Sequence, residues 1–177
     1  DALIDLTSWY DGAIDLVTRR YPVDLSSMSQ KLRSDLQGEY DFAIHLGQAP
    51  GQPVIKLESV ALNVRSDGSE LIAGAPPAYR CGVNLAPMME ALTESGIPTQ
   101  ISHHAGTYLC NAALYLSQHY SASFGMGTKS TFIHLPLTPA QVARSGDSLP
   151  SMSTPMASAA VAITIASLTG QTVGRMA

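Results

Sequence analysis

A cysteine stands in the first turn of a predicted helix, directly after a turn of small residues. From Ser102 to Asn111 the sequence reads as a strand end, a turn containing Ala105-Gly106, and a helix start that carries Cys110. Unpaired backbone N–H groups and the helix dipole favour a thiolate there, and they could also hold a developing oxyanion. Cys110 is therefore a candidate nucleophile; the alternative is a small buried apolar side chain on the inner face of the helix.

A thiol nucleophile needs a base, and His134 lies near the end of the predicted strand 131–135. Because the carboxyl ends of strands meet at one edge of an open sheet, we expect His134 to reach Cys110 and accept its proton. Glu58, just before the predicted strand 59–64, is a candidate to hold the imidazole and stabilise its charged form. Taken singly, His134 is more typical of a hydrogen-bonded core histidine and Glu58 of a solvated charge at a strand edge.

Two other kinds of site are weaker interpretations of the sequence. Residues 125–130 faintly echo a phosphate-binding loop, but they lack the Gly-Lys-Ser/Thr order and precede a strand. A zinc site could be drawn from His103, His104, Cys110 and His134. Neighbouring side chains of an extended segment point to opposite faces, so His103 and His104 cannot easily share one ion. The sequence therefore predicts neither a metal nor a cofactor.

Helix and strand patterns alternate along the chain, which is typical of an α/β fold with helices on both faces of a central sheet. The helices are predicted from Asp24 or Ser26 to Gly38, from Asn84 to Gly96, over 107–119, and from a Thr154 cap to Gly170. The strands are predicted over 14–23, 41–46, 59–64, 97–102 and 131–135, with loops over 65–78 and 123–129.

The amino-acid composition and net charge of the chain exclude several classes of function. The chain has 177 residues and a formal net charge of −4, which argues against a nucleic-acid groove or a polybasic membrane surface. Its 45% hydrophobic content is enough for a sizeable core and excludes disorder. The longest apolar run, 156–168, is too short to span a bilayer, and no secretory signal is visible. Two cysteines, Cys81 and Cys110, are too few for a disulfide framework, which favours a reducing, cytoplasmic location.

A series of short sequence blocks covers roughly residues 20–168. The most specific are Ala105-Gly106-Thr107-Tyr108-Leu109-Cys110-Asn111 and Phe132-Ile133-His134-Leu135-Pro136; the others are Gly47-Gln48-Ala49, Glu58 with 60–63, 77–79, 96–98, Ser102 and 150–153. In this order they resemble the pyroglutamyl peptidase type I family of cysteine peptidases, also called pyrrolidone-carboxyl peptidases.

The resemblance implies a three-layer α/β/α sandwich with a mixed, mostly parallel central sheet, phosphorylase/hydrolase-like, as one domain over residues 1–177. It implies Cys110 as the nucleophile, His134 as the general base and Glu58 as the third catalytic residue, with Gln48 and Leu109 binding substrate. The activity it implies is removal of an amino-terminal pyroglutamyl residue from peptides through an acyl-enzyme, without a metal or cofactor. The expected partner is a peptide, with no nucleic acid and no membrane, and the resemblance leaves homo-oligomers open.

The sequence also departs from the family pattern. The family's first strand and the glycine- and phenylalanine-rich loop after it have no counterpart. Ser59 follows Glu58 where arginine is typical, Ser69 stands where the family has another arginine, and His103-His104 replaces smaller or amide residues. These departures leave a second hypothesis, a non-catalytic or incomplete homologue that binds small amides or peptides without turnover.

Overall fold

The computed structural model describes residues 14–171. Within them helices and strands alternate, as the sequence predicts. In chain order the elements are α1 (Leu25–Leu36), β1 (Phe42–Gln48), β2 (Ile55–Glu58), β3 (Val60–Leu62), β4 (Ala78–Arg80), α2 (Leu85–Glu94), β5 (Thr99–Ser102), α3 (Leu109–Phe124), β6 (Lys129–Leu135), α4 (Pro139–Ser145) and α5 (Thr154–Thr169).

The central sheet has four strands in the order β1-β6-β2-β5. β1 pairs with β6 in parallel, and β2 pairs with β5 in parallel. The middle pair, β6 with β2, is antiparallel. The predicted mixed, mostly parallel sheet is confirmed, since two of its three pairings are parallel. β3 and β4 form a separate antiparallel pair beside this sheet.

Helices cover both faces of the sheet. Adjacent residues of a strand point to opposite faces, and Phe132 and Ile133 of β6 enter two different cores. Phe132 packs with Leu32 of α1 and Leu114 of α3, whereas Ile133 packs with Met88 of α2 and residues of α5. The three-layer α/β/α arrangement is therefore confirmed. No helix within residues 14–171 is long and apolar enough to cross a bilayer.

Local sequence signals explain where the helices begin and end. Asp24 caps α1 by accepting a hydrogen bond from the Ser27 N–H at 2.7 Å. Asn84 caps α2 in the same way, as predicted. α5 differs slightly from its prediction, because Ser153 is the cap and Thr154 is already the first helical residue. α3 ends at Gly125, whose φ of 65° lies in the left-handed region that favours glycine.

Several predicted elements differ from the observed ones. The strand predicted over 14–23 is wrong: Ile14 and Leu16 pack against α5 instead of joining a strand ladder. Glu58 does not precede a strand but ends β2, which the sequence analysis missed together with β4 and α4. β2 and β4 have only four and three residues, too short for a clear alternation of apolar and polar positions.

Candidate active site

Cys110 is the second residue of α3, so its thiol lies in the first helical turn. Tyr108 precedes the helix with an extended backbone, and its side chain makes no capping hydrogen bond. The sulfur lies over β1: a Cβ added at Gly47 would stand 3.0 Å from Cys110 Sγ and 2.7 Å from Phe132 Cζ. The absence of a side chain at Gly47 therefore leaves the space that the thiol occupies.

Glu58 and His134 meet across the antiparallel pair of strands. Lys56 lies opposite His134 in the register, so Glu58 is a diagonal neighbour of His134 on the same face of the sheet. His134 Nδ1–H donates a hydrogen bond of 2.8 Å to Glu58 Oε1. The expectation that His134 reaches Cys110 because the carboxyl ends of strands share one edge is wrong in its reason, since β6 runs antiparallel to β5, the strand before the helix of Cys110.

The imidazole of His134 is surrounded by groups that favour its charged form. Burial alone lowers the pKa of His134, but hydrogen bonds with Cys110 and Glu58, together with their charges, outweigh it and raise the pKa to about 9. Glu58 is completely buried, and its Oε2 atom has no hydrogen-bond partner among the described residues. A buried carboxylate with one unpaired oxygen is stable only beside a positive charge, which the His134 imidazolium supplies.

A groove of about 810 Å³ opens beside the thiol. Gln48, Tyr108, Leu109 and Cys110 all line it, so the structure brings the two predicted substrate-binding residues to the same cavity as the candidate nucleophile. The remaining walls include residues 15–23 and side chains of α1, β1, β6 and α5. Cys110 is half-buried and reaches this groove, which excludes the alternative of a thiol sealed in the core.

The amide of Gln48 donates one hydrogen bond to, and accepts one from, a residue that the sequence analysis did not identify. Gln48 Nε2–H donates to Gln141 Oε1 at 2.7 Å, and Gln141 Nε2–H donates to Gln48 Oε1 at 2.9 Å. Gln141 belongs to α4, which begins at a Thr138 cap. The capping pattern Thr138-Pro139-Ala140-Gln141 could have revealed this helix, because a threonine followed three residues later by glutamine is typical of a helix start.

Asn111, next to the nucleophile, is a second residue that the sequence analysis did not assign. Its side chain accepts a hydrogen bond from Leu62 N–H at 2.8 Å and donates to Leu62 O at 2.9 Å and Val64 O at 3.2 Å. Leu62 ends β3, which follows Glu58 by one residue. Asn111 therefore ties the helix of Cys110 to the segment that continues from Glu58.

The two adjacent histidines do not join the thiol. Ser59 Oγ is hydrogen-bonded to His103 Nδ1 at 2.6 Å, and the Gly106 N–H donates to His104 Nδ1 at 2.9 Å. Among residues 14–171 no group of three His, Cys, Asp or Glu side chains is placed to hold a metal ion. Gly125 caps α3, and the loop of residues 126–128 leads into a strand and not into a helix.

Similarity to known proteins extends over most of the chain. A family model described as pyroglutamyl peptidase matches residues 5–171. The pyrrolidone-carboxylate peptidase of Pyrococcus furiosus is 35% identical in an alignment of 150 positions that covers 78% of this chain and 72% of that protein. The pyrrolidone-carboxylate peptidase of Pectobacterium atrosepticum is 31% identical in an alignment of 186 positions that covers 98% of this chain and 86% of that one. An X-ray structure of the P. furiosus pyrrolidone carboxyl peptidase aligns with a TM-score of 0.87 at 34% identity, covering 96% of this chain and 88% of that one.

Proposed function

We propose that this chain, which belongs to the pyroglutamyl peptidase family and is a peptidase of that kind, uses Cys110 to cleave the peptide bond after an amino-terminal pyroglutamyl residue. The relatives named above are peptidases, which does not favour the hypothesis of a binding protein without turnover. The observation that carries the proposal is the 2.8 Å hydrogen bond between His134 and Glu58, beside a thiol that lines an open groove.

In the first half of the reaction, the Cys110 sulfur attacks the carbonyl carbon of the pyroglutamyl residue. Glu58 occupies Nδ1 of His134, which leaves Nε2 for the thiol and the substrate. The imidazolium Nε2–H gives its proton to the leaving nitrogen as the C–N bond breaks. A thioester with Cys110 remains, and the shortened peptide leaves with a new amino group.

In the second half, neutral His134 accepts a proton from water as the water oxygen attacks the thioester carbonyl. The C–S bond breaks, pyroglutamate leaves, and the starting pair of thiolate and imidazolium returns. The first-turn N–H groups of α3 lie beside Cys110 and are free of a side-chain cap, which suits them to the oxyanion of both tetrahedral intermediates. No step requires a metal or a cofactor.

The groove has the chemistry that a lactam ring requires. The pyroglutamyl group is uncharged and presents one N–H and one C=O on the same edge, so it is recognised by an amide in an apolar cavity. Gln48 supplies such an amide, and Leu109, Phe132 and Val161 supply apolar lining. Both cysteines are free thiols in the structure, which supports the cytoplasmic location that we propose.

Hydrolysis of pyroglutamyl aminomethylcoumarin tests this function. We expect turnover by the wild type, none by Cys110→Ala, and none of prolyl aminomethylcoumarin, which lacks the ring carbonyl and carries a charged amine. Cys81→Ala is the matched control, because Cys81 is also half-buried and its thiol donates to Ser130 O, away from His134. Equal loss in both cysteine variants, or unchanged turnover in Cys110→Ala, would exclude Cys110 as the nucleophile.

A further inference from the structure

Gln48 and Gln141 form a closed pair in which each carboxamide donates one hydrogen bond and accepts one. The orientation of Gln141 is fixed independently, since its Oε1 also accepts from the Thr138 N–H at 2.8 Å and only an oxygen can do so. The Gln141 Nε2–H must then face Gln48 Oε1, as observed at 2.9 Å. The pair is therefore set by the start of α4.

A primary amide has a single edge that offers a carbonyl oxygen and an N–H side by side. A five-membered lactam offers the same combination, because ring closure keeps its N–H and C=O on one side. Gln48 can make this two-bond contact with one partner at a time. In the structure, the carboxamide of Gln141 takes that edge.

The helix that carries Gln141 is weakly attached to the molecule. No residue of α4 is buried. Leu137, two residues before the helix, forms an isolated bridge with Ser151, and the Gln48–Gln141 pair itself is exposed to solvent. Elements with few buried contacts open at the lowest free energy, so exchange of this pair does not require unfolding of the core.

From these observations we propose that Gln141 is a stand-in for the substrate lactam: it occupies the amide edge of Gln48 in the free protein and is displaced when a lactam binds. This inference rests on the proposed function, in which Gln48 receives the ring. Gln141 then adds the cost of its own displacement to the binding of a lactam, and only a group that can form both hydrogen bonds replaces it without loss. Ligands that offer one hydrogen bond compete poorly with the resident carboxamide.

The variant Gln141→Met tests the proposal by separating KM from kcat. Methionine has nearly the length of glutamine and cannot pair with Gln48, so we expect KM for the pyroglutamyl substrate to fall about 3- to 10-fold, with kcat little changed. A raised KM would mean that Gln141 positions Gln48 for the substrate, and an unchanged KM would mean that the pair is irrelevant; either result overturns the proposal.

The control variant is Thr138→Ala, which weakens the cap of α4 and keeps both carboxamides. We expect its effect on KM to be clearly smaller than that of Gln141→Met. An equal fall in KM would assign the effect to loosening of α4 and would overturn the exchange of amides.

Inhibition by γ-butyrolactam separates failure of this proposal from failure of the proposed function. We expect Gln141→Met to lower the inhibition constant of γ-butyrolactam by the same factor as KM, and to leave that of its N-methyl derivative unchanged, since the latter cannot donate a hydrogen bond. Equal changes for both lactams would overturn the exchange. A wild type without turnover would refute the proposed function instead, and side-chain amide NMR shifts on adding γ-butyrolactam would still report whether Gln48 changes partner.

Discussion

The proton on His134 is held by Cys110 and Glu58 against the effect of burial, with a pKa of about 9. In the proposed mechanism the reacting pair is a thiolate and an imidazolium, so activity requires that His134 keep its proton. We therefore expect kcat/KM to fall as the pH rises through about 9. A pH profile of the initial rate with pyroglutamyl aminomethylcoumarin measures this directly.

Replacing Glu58 separates its contribution from that of the thiol. Glu58→Gln keeps a hydrogen-bond acceptor for Nδ1–H but removes the negative charge, so we expect the upper limb of the pH profile to move down by about 1–3 pH units. An upper limb at the same pH in Glu58→Gln would contradict the charge effect that we assign to Glu58.

Replacing His134 removes the proposed acid and base. We expect His134→Ala to lower kcat/KM by about 10²–10⁴-fold, the usual contribution of a positioned acid or base.

Gly47 controls the position of the sulfur. A Cβ at Gly47 would stand 3.0 Å from Cys110 Sγ and 2.7 Å from Phe132 Cζ, so at least one of them must move. We expect Gly47→Ala to lower kcat/KM by about 10²-fold, the typical result of a small misplacement of a reacting group. Gly82→Ala is the control, because its Cβ would meet Ser130 N at 3.0 Å, away from the thiol. Similar losses of activity in both variants, measured with the same substrate, would show a general packing defect.

β1 and α3 are joined by a buried polar contact. His45 Nε2 and Ser117 Oγ are hydrogen-bonded at 2.7 Å, and burial lowers the pKa of His45 to about 4. The unfolded chain binds a proton at His45 near the ordinary value of 6.5, whereas the folded protein does so only near 4. The free energy of unfolding should therefore decrease as the pH falls from about 6.5 to about 4.

Urea denaturation at several pH values checks the role of His45. We expect His45→Gln to be less sensitive to pH than the wild type over this range, because glutamine can also bond to Ser117 and does not titrate. Parallel curves for the two proteins would show that another group causes the acid sensitivity.

Helices with a complete capping pattern and an apolar stripe are predictable from this sequence. α1 and α2 are capped by Asp24 and Asn84, as their sequences indicate. Residues 14–23 have the alternation of a strand, yet a strand also requires a partner, and their side chains instead line the groove and pack on α5. α4 was missed because it has no buried face, and only its cap distinguishes it from a loop.

The two hydrophobic cores on opposite faces of the sheet both contribute to the free energy of unfolding of the molecule. Leu32 belongs to the core under α1 and α3, and Met88 to the core under α2; both side chains are fully buried. We expect Leu32→Ala and Met88→Ala each to lower the free energy of unfolding by about 2–5 kcal/mol. The sheet separates the two sites, so the double variant should show the sum within about 0.5 kcal/mol, as measured by urea denaturation. A larger deviation would show that the cores are coupled through the sheet.

The architecture and the identity of the candidate residues follow from sequence more readily than the way in which the site is assembled. The motifs around Cys110, His134 and Glu58 predict a nucleophile, a base and a carboxylate, and the structure brings the three together. Their meeting depends on the antiparallel pairing of β2 with β6, which is a property of long-range topology. The Gln48–Gln141 pair likewise joins residues 93 positions apart, and no local pattern indicates such a contact.

The central claim is that His134 keeps Cys110 reactive. The most direct test of this claim is alkylation of the two thiols. Mass spectrometry of the protein after brief treatment with iodoacetamide at neutral pH gives the rates for Cys110 and Cys81 in one sample. We predict that Cys110 reacts faster than Cys81 in the wild type, and that this difference largely disappears in His134→Ala. Equal rates in the wild type, or an unchanged excess for Cys110 without His134, would contradict the account.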